Sequence, residues 1–172
     1  MYGIDTSHVA HPRVIRAEEW APFRADGYEL LVLGLHGGVT ANVHSRDTLE
    51  EARAAGLLTA GYIFLAPGIG AEQVAVCREQ AGDAWNHLQF VAVDVEWPPD
   101  WRPPELTIAD VWQAVSAVRE TTGLPVWLYT GHWWWPRYLA DAPDFAHLPL
   151  WDSRYNGGPS LIMQPPYGGW TR

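Results

Sequence analysis

The chain has 172 residues, is 48% apolar and carries a formal net charge of −9. This length fits one globular domain with a sizeable core, and the charged fraction of 18% argues against disorder. The negative charge disfavours nucleic acid as a partner, no run is long enough to span a membrane, and the single cysteine excludes an internal disulfide.

Strands and helices are predicted to alternate along the chain. Thr107 caps one helix, in which Ile108, Val111 and Val115 recur at helical spacing. Another, over 47–55, is expected to be capped by Ser45 or Asp47. The remaining predicted helices cover 17–24, 71–85 and 132–139, and the predicted strands cover 1–7, 28–35, 57–65, 90–97, 125–130, 148–153 and 161–163.

This alternation predicts strand–helix units and a largely parallel sheet. A barrel is favoured over a doubly wound sheet, because no glycine-rich phosphate loop follows the first strand and Gly68-x-Gly70 is an isolated fragment. The polar and aromatic residues at the strand ends would share one face of such a barrel. They are Asp5, Tyr62, Asp94, Glu96, Tyr129 and Asp152.

The segment 90–97 reads as a buried strand that ends in two carboxylates, Asp94 and Glu96. Successive strand side chains alternate between faces, so these two acids would share a face about 6.5–7 Å apart along the strand. Val91, Val93 and Val95 would occupy the other face. The alternative interpretation is a solvated strand end that is merely acidic.

Eleven tryptophans are unusual for this length, and most are expected in the core. Those at strand ends are candidate platforms for sugar rings. Cys77 falls in a helical pattern with Val74 and Ala81 and is expected to be a small core residue.

The ordered motifs of the chain resemble glycoside hydrolase family 25, the bacterial and phage muramidases. Their order and spacing span nearly the whole sequence. The matching pieces are Gly3-Ile4-Asp5, Ala55-Gly56-Leu57, Gly61-Tyr62-Ile63-Phe64, Val93-Asp94-Val95-Glu96, Thr122-Gly123-Leu124-Pro125, Leu128-Tyr129-Thr130-Gly131, Trp133-Trp134, and Leu148-Pro149-Leu150-Trp151 with Tyr155.

The resemblance implies an α/β fold, a TIM-like (β/α) barrel of five βα units followed by strands with little helix. It also implies cleavage of the β-1,4 bond after N-acetylmuramic acid in peptidoglycan, with Glu96 as general acid and Asp94 and Asp5 as supporting carboxylates. Glycoside hydrolysis needs one protonated and one ionised carboxyl, which fits this set. With an N-acetylated sugar, Asp94 is hypothesised to orient or stabilise the amide.

The same resemblance implies a substrate groove lined by aromatic side chains. Tyr62, Tyr129 and Trp151 match groove positions, with Tyr155 and Asp152 as further candidate contacts. Asp152 departs from the small residue common in the family. The alternative interpretation is that these aromatic residues are core residues at strand ends, without a binding role.

One departure concerns the C-terminal part. The family has a further strand bearing Gln-Tyr and a last strand with another active-site Asp, and this sequence carries neither. We therefore expect one domain over 1–172 whose barrel lacks its closing strand. A longer gene, association with another chain, or an open barrel would each account for this.

Other functional classes remain as alternatives. His8, His11, His36 and His44 supply metal-ligand types, but without H-E-x-x-H they are expected to be surface histidines, and neither a metal nor a cofactor is predicted. No G-x-S-x-G supports a serine nucleophile. The serious alternatives are a non-catalytic glycan-binding or inactive truncated barrel, and a hydrolase of another N-acetylated glycan.

The expected partner is the glycan strand of peptidoglycan, with no role for nucleic acid or membrane. The first residues lack a basic-then-apolar signal pattern, which predicts cytoplasmic synthesis. This favours a phage lysin or virion-associated enzyme that reaches the cell wall through other machinery.

Overall fold

A six-stranded sheet organises the molecule, and each strand pairs in parallel with the next one along the chain. The computed structural model describes residues 2–7, 12–96, 106–153 and 166–171. Five helices follow the first five strands, so the predicted alternation is confirmed. The elements are β1 (Tyr2–Thr6), α1 (Ala17–Ala25), β2 (Tyr28–Gly37), α2 (Ser45–Ala54), β3 (Leu58–Phe64), α3 (Gly70–Ala81), β4 (Leu88–Asp94), α4 (Ile108–Thr122), β5 (Val126–Thr130), α5 (Trp135–Tyr138) and β6 (Leu150–Asp152).

The strand order follows the sequence without reversal from β1 to β6. A doubly wound sheet reverses its order at a switch point, so this topology is that of a barrel wall. Within the described residues β1 and β6 are the two edges, and the sheet is an open half-barrel. The seventh strand predicted over 161–163 lies outside the described residues.

The two faces of the sheet carry different cores. Val91, Val93 and Val95 belong to the large cluster beneath the helices, where Trp85 and Cys77 are also buried, as predicted for Cys77. The opposite, inner face holds a smaller apolar cluster. It consists of Val32, Ala60, Phe90 and Ala92, with Leu30, Tyr62, Trp127, Tyr129 and Trp151 packed against it.

Helix α4 follows its sequence signals closely. The Thr107 hydroxyl accepts a hydrogen bond from the Asp110 backbone N–H at 3.3 Å, and the Asp110 carboxylate accepts one from the Thr107 N–H at 2.7 Å. This reciprocal pair is a capping box. The helix ends at Gly123 in the left-handed conformation, with φ of 65°.

Two helix boundaries differ from the prediction. Neither Ser45 nor Asp47 caps α2, because the helix already begins at Ser45. Asn42 organises this end instead, since its side-chain oxygen accepts from the His44 N–H at 3.0 Å. The helix predicted to reach residue 85 stops at Ala81, because the next residue is a glycine with φ of 53°, and a 3₁₀ helix spans Gly82–His87.

Candidate active site

Strand β4 delivers two carboxylates to the inner side of the half-barrel. The strand ends at Asp94, and Glu96 follows two residues later. Both acids line one cavity of about 150 Å³, as expected if they share a face. Asp94 is only 7% exposed, so the strand buries one acid in the floor of this cavity.

The cavity gathers residues that are far apart in the sequence. Its acids come from β1 and the end of β4, and its aromatic rings come from β3, β5 and β6. Parallel strands present their carboxyl ends on one side, which explains why these residues meet. The lining residues are Asp5, Tyr62, Asp94, Glu96, Tyr129 and Trp151.

The remaining predicted contacts are placed differently. The Asp152 carboxylate accepts a hydrogen bond from the Tyr167 hydroxyl at 2.7 Å and does not line this cavity. Since side chains alternate along a strand, Asp152 faces away from the side that Trp151 occupies. Tyr155 lies outside the described residues.

Two hydrogen bonds to the Val95 backbone fix the segment that carries Glu96. Beyond the end of β4, the Val95 N–H donates to the Tyr129 carbonyl at 2.8 Å. The hydroxyl of the fully buried Thr130 donates to the Val95 carbonyl at 2.7 Å. Glu96 is therefore tied to β5 through its neighbour, although it lies outside the regular strand.

Strand register explains which side chains become neighbours. Asp94 pairs with Tyr129, and Tyr129 pairs with Trp151, so one row of the inner face carries an acid and two rings. The Tyr129 and Trp151 rings meet edge to face with centroids 4.9 Å apart. Ser153 continues this ladder one residue past β6, because its N–H donates to the Thr130 carbonyl at 2.7 Å.

The electrostatics of the cavity are dominated by Asp94. Burial raises the pKa of Asp94 well above its ordinary value, and the neighbouring carboxylates of Glu96 and Asp5 raise it further. Its Oδ1 atom accepts no hydrogen bond from any of the described residues. Burial and repulsion therefore disfavour the ionised form of Asp94.

Tyr62 reaches the cavity because β2 leaves room for it. A Cβ atom at Gly34 would lie 2.8 Å from the Tyr62 hydroxyl oxygen, which is closer than a side chain allows. The glycine thus admits the phenol across the neighbouring strand. This close approach holds the ring at the edge of the carboxylate cluster.

The sequence profile of Glycosyl hydrolases family 25 matches residues 6–171, nearly the whole chain. The chain belongs to glycosyl hydrolases family 25. It is thus a member of a family of glycosidases, as the ordered motifs indicated.

Known family 25 proteins share its architecture. A relative named probable GH family 25 lysozyme 2, from Dictyostelium discoideum, is 22% identical over 158 residues, which is 90% of this chain and 74% of the relative. The muramidase from Trichobolus zukalii superimposes with a TM-score of 0.77 at 23% identity, over 99% of this chain and 83% of that one. The autolysin LytC from Streptococcus pneumoniae, solved with a synthetic peptidoglycan ligand, superimposes with a TM-score of 0.66 at 14% identity, over 96% of this chain and 39% of LytC.

Sequence reasoning missed Ser153 and its contacts. Ser153 is 3% exposed and donates from its hydroxyl to Glu96 Oε2 at 3.2 Å. A serine one residue past the short strand β6 gives no signal by itself. Only the register of three neighbouring strands brings it beside the acid in this family 25 chain.

The histidine prediction requires a correction. His36 is 6% exposed rather than on the surface, and its Nδ1 lies 3.0 Å from Nε2 of the buried Gln73. His8 and His11 lie outside the described residues. Across the described ranges, no three His, Cys, Asp or Glu side chains are grouped to hold a metal ion.

The described part of the chain also contains no helix that is both long and apolar enough to cross a membrane.

Proposed function

We propose that this chain hydrolyses the β-1,4 bond between N-acetylmuramic acid and N-acetylglucosamine in peptidoglycan. Family membership supplies the reaction class. The observation that carries the assignment to particular residues is the cavity itself, in which three acids and three aromatic rings converge. A pure binding surface gains nothing from acids that repel one another, whereas glycoside hydrolysis depends on them.

Glu96 is assigned the role of general acid. It gives its proton to the glycosidic oxygen while the bond from that oxygen to the anomeric carbon breaks. The carbonyl oxygen of the substrate's own acetamide then attacks the anomeric carbon and forms a cyclic intermediate. Water opens this ring and returns a proton to the Glu96 carboxylate, which restores the starting state.

Asp94 and Asp5 support this step from the cavity wall. In this scheme the Asp94 carboxyl receives the acetamide N–H and orients the amide for attack. The desolvation that raises the pKa of Asp94 is then offset by a substrate hydrogen bond. Asp5, which is exposed on β1, adds negative charge that favours the positively charged transition state.

The aromatic residues are assigned to glycan binding. Tyr129 and Trp151 present rings beside the acids, and flat ring faces suit the apolar faces of sugars. LytC, solved with a synthetic peptidoglycan ligand, shares the fold and supports the choice of substrate. The proposed place of action is the bacterial cell wall, and a phage origin stays a prediction.

Digestion of purified peptidoglycan tests the proposed bond. The products are reduced with borohydride and identified by mass spectrometry. Cleavage after N-acetylmuramic acid leaves muraminitol at the reduced ends, whereas cleavage after N-acetylglucosamine leaves glucosaminitol. Muraminitol ends support the proposal. Glucosaminitol ends alone, or no soluble fragments from a cooperatively folded protein, would overturn it.

A further inference from the structure

A short chain of hydrogen bonds reaches Glu96 from outside the cavity. The indole Nε1–H of Trp133 donates to the Ser153 hydroxyl oxygen at 3.1 Å. The Ser153 hydroxyl in turn donates to Glu96 Oε2 at 3.2 Å. Neither Trp133 nor Ser153 lines the cavity, so these hydrogen bonds approach Glu96 from outside it.

The indole of Trp133 fixes the direction of the first of these two hydrogen bonds. An indole nitrogen is a donor only, so the Ser153 oxygen must accept from Trp133. The same hydroxyl carries one proton, which it donates to Glu96 Oε2. Oε2 of Glu96 is therefore held as an acceptor.

Gly131 provides the space for this contact. A Cβ atom there would lie 2.6 Å from the Trp133 ring and 2.8 Å from Ser153 Oγ, so one of the two would have to move. The turn after β5 also begins at this residue, since the N–H groups of Trp134 and Trp135 both donate to the Gly131 carbonyl, at 2.9 and 3.0 Å. The turn and the missing side chain together bring Trp133 over Ser153.

We propose that Trp133 and Ser153 are positioning residues that orient Glu96 through its Oε2 atom, so that the catalytic proton resides on Oε1. The proposal rests on the proposed function, because it takes Glu96 as the general acid. The carbonyl oxygen of a carboxylic acid is a better acceptor than its O–H oxygen, so the oxygen that accepts from Ser153 favours the unprotonated form. This series of hydrogen bonds from Trp133 through Ser153 to Glu96, the relay, thereby selects which Glu96 oxygen protonates the leaving group.

The relay also sets the charge balance around Glu96. Other ionisable groups that share its cavity are Asp94 at the end of β4, Asp5 on β1, Tyr62 on β3 and Tyr129 on β5. The two acids disfavour a negative charge on Glu96, whereas the Ser153 hydroxyl stabilises that charge. Removing the hydroxyl is therefore expected to favour the protonated form and to move the basic limb of the pH–rate profile upward.

Three variants interrupt the relay at different points. Ser153→Ala removes the donor to Glu96, Trp133→Phe removes the indole N–H, and Gly131→Ala separates the two groups by steric contact. Trp112→Phe is the matched control, because Trp112 is 36% exposed, close to the 38% of Trp133, and stacks on His147 away from the cavity. Each protein is assayed on peptidoglycan across pH, and the Glu96 carboxyl is titrated by carbon-13 NMR.

For Ser153→Ala we expect kcat to fall about tenfold with KM unchanged. We expect both the basic limb and the NMR titration of Glu96 to move upward by about half a unit to one unit. Trp133→Phe and Gly131→Ala should shift both in the same direction by less, and Trp112→Phe should shift neither.

The NMR titration separates this proposal from the proposed function. An upward titration shift in Ser153→Ala without any turnover by the parent would support the relay and remove the hydrolase assignment. An active parent whose pH profile and Glu96 titration are unchanged in Ser153→Ala would refute the relay and leave the hydrolase intact. A fall in activity through KM alone would also refute it, because a residue behind the acid does not contact the glycan.

Discussion

Replacing Asp94 by asparagine removes a buried ionisable group and keeps the size of the side chain. The pKa of Asp94 is raised in the folded protein, chiefly by burial and then by repulsion from Glu96 and Asp5. Ionising this group therefore costs more in the folded chain than in the unfolded one. The resulting loss of stability is absent below the unfolded pKa near 3.8 and grows as the pH rises through the folded value.

The magnitude follows from the raised pKa of Asp94. Each pH unit between the unfolded pKa and the folded pKa costs the folded parent about 1.4 kcal/mol, the free energy of one pKa unit. For a chain of this length each kcal/mol moves Tm by about 2–4 °C. Asp94→Asn is thus expected to raise Tm by about 3–6 °C for each pH unit between those two pKa values, with no gain near pH 3.

Thermal melts of parent and variant from pH 3 to pH 8 measure this difference directly. Asp144→Asn is the matched control, since Asp144 is exposed and its replacement should change stability by less than about 0.5 kcal/mol. In parallel, turnover of Asp94→Asn on peptidoglycan should fall at least tenfold, because an amide cannot supply the negative charge that stabilises the positively charged transition state. A lower Tm at pH 7 would contradict the raised pKa of Asp94, and turnover within a few-fold of the parent would contradict its role in catalysis.

Three further predictions concern other parts of the molecule. Burial works to raise the pKa of Asp110, but hydrogen bonds from Thr107 and Gly68 outweigh it and lower the pKa. Asp110→Asn should therefore lower the free energy of unfolding by about 1–2 kcal/mol in urea melts at pH 7. This loss should fade as the pH falls below the Asp110 pKa. Burial raises the pKa of Cys77 to about 12, so an aromatic disulfide reagent should label the thiol in denaturant and leave the native protein unlabelled; rapid native labelling would contradict this. Trp151→Ala should raise KM for glycan about tenfold, the equivalent of about 1.4 kcal/mol, and an unchanged KM would remove Trp151 from the groove.

The parallel half-barrel was predictable because its determinants are local. The β2 and β4 strands are continuous apolar runs, which is the mark of a sheet covered on both faces. Once the strands are parallel and in chain order, topology alone brings Asp5, Asp94 and Glu96 to one side. The acid cluster could therefore be predicted without knowledge of side-chain packing.

Features that depend on register or on one backbone angle were not predictable in this way. The contact between Ser153 and Glu96 requires the alignment of three strands, and no residue pattern encodes that alignment. The early end of α3 depends on the positive φ of Gly82, whereas the helix was predicted to continue to Trp85. Likewise, no side chain of the described residues caps α2, and Asn42 instead accepts from the His44 N–H just before the helix.

The rate of peptidoglycan solubilisation by the parent and by Glu96→Gln decides whether Glu96 is the general acid. Glu120→Gln serves as control, because it makes the same change at an exposed position on α4. We expect Glu96→Gln to lose at least a hundredfold in rate while it keeps its fold, and Glu120→Gln to match the parent. A Glu96→Gln protein that releases fragments at the parental rate would contradict the assignment of Glu96 as the acid.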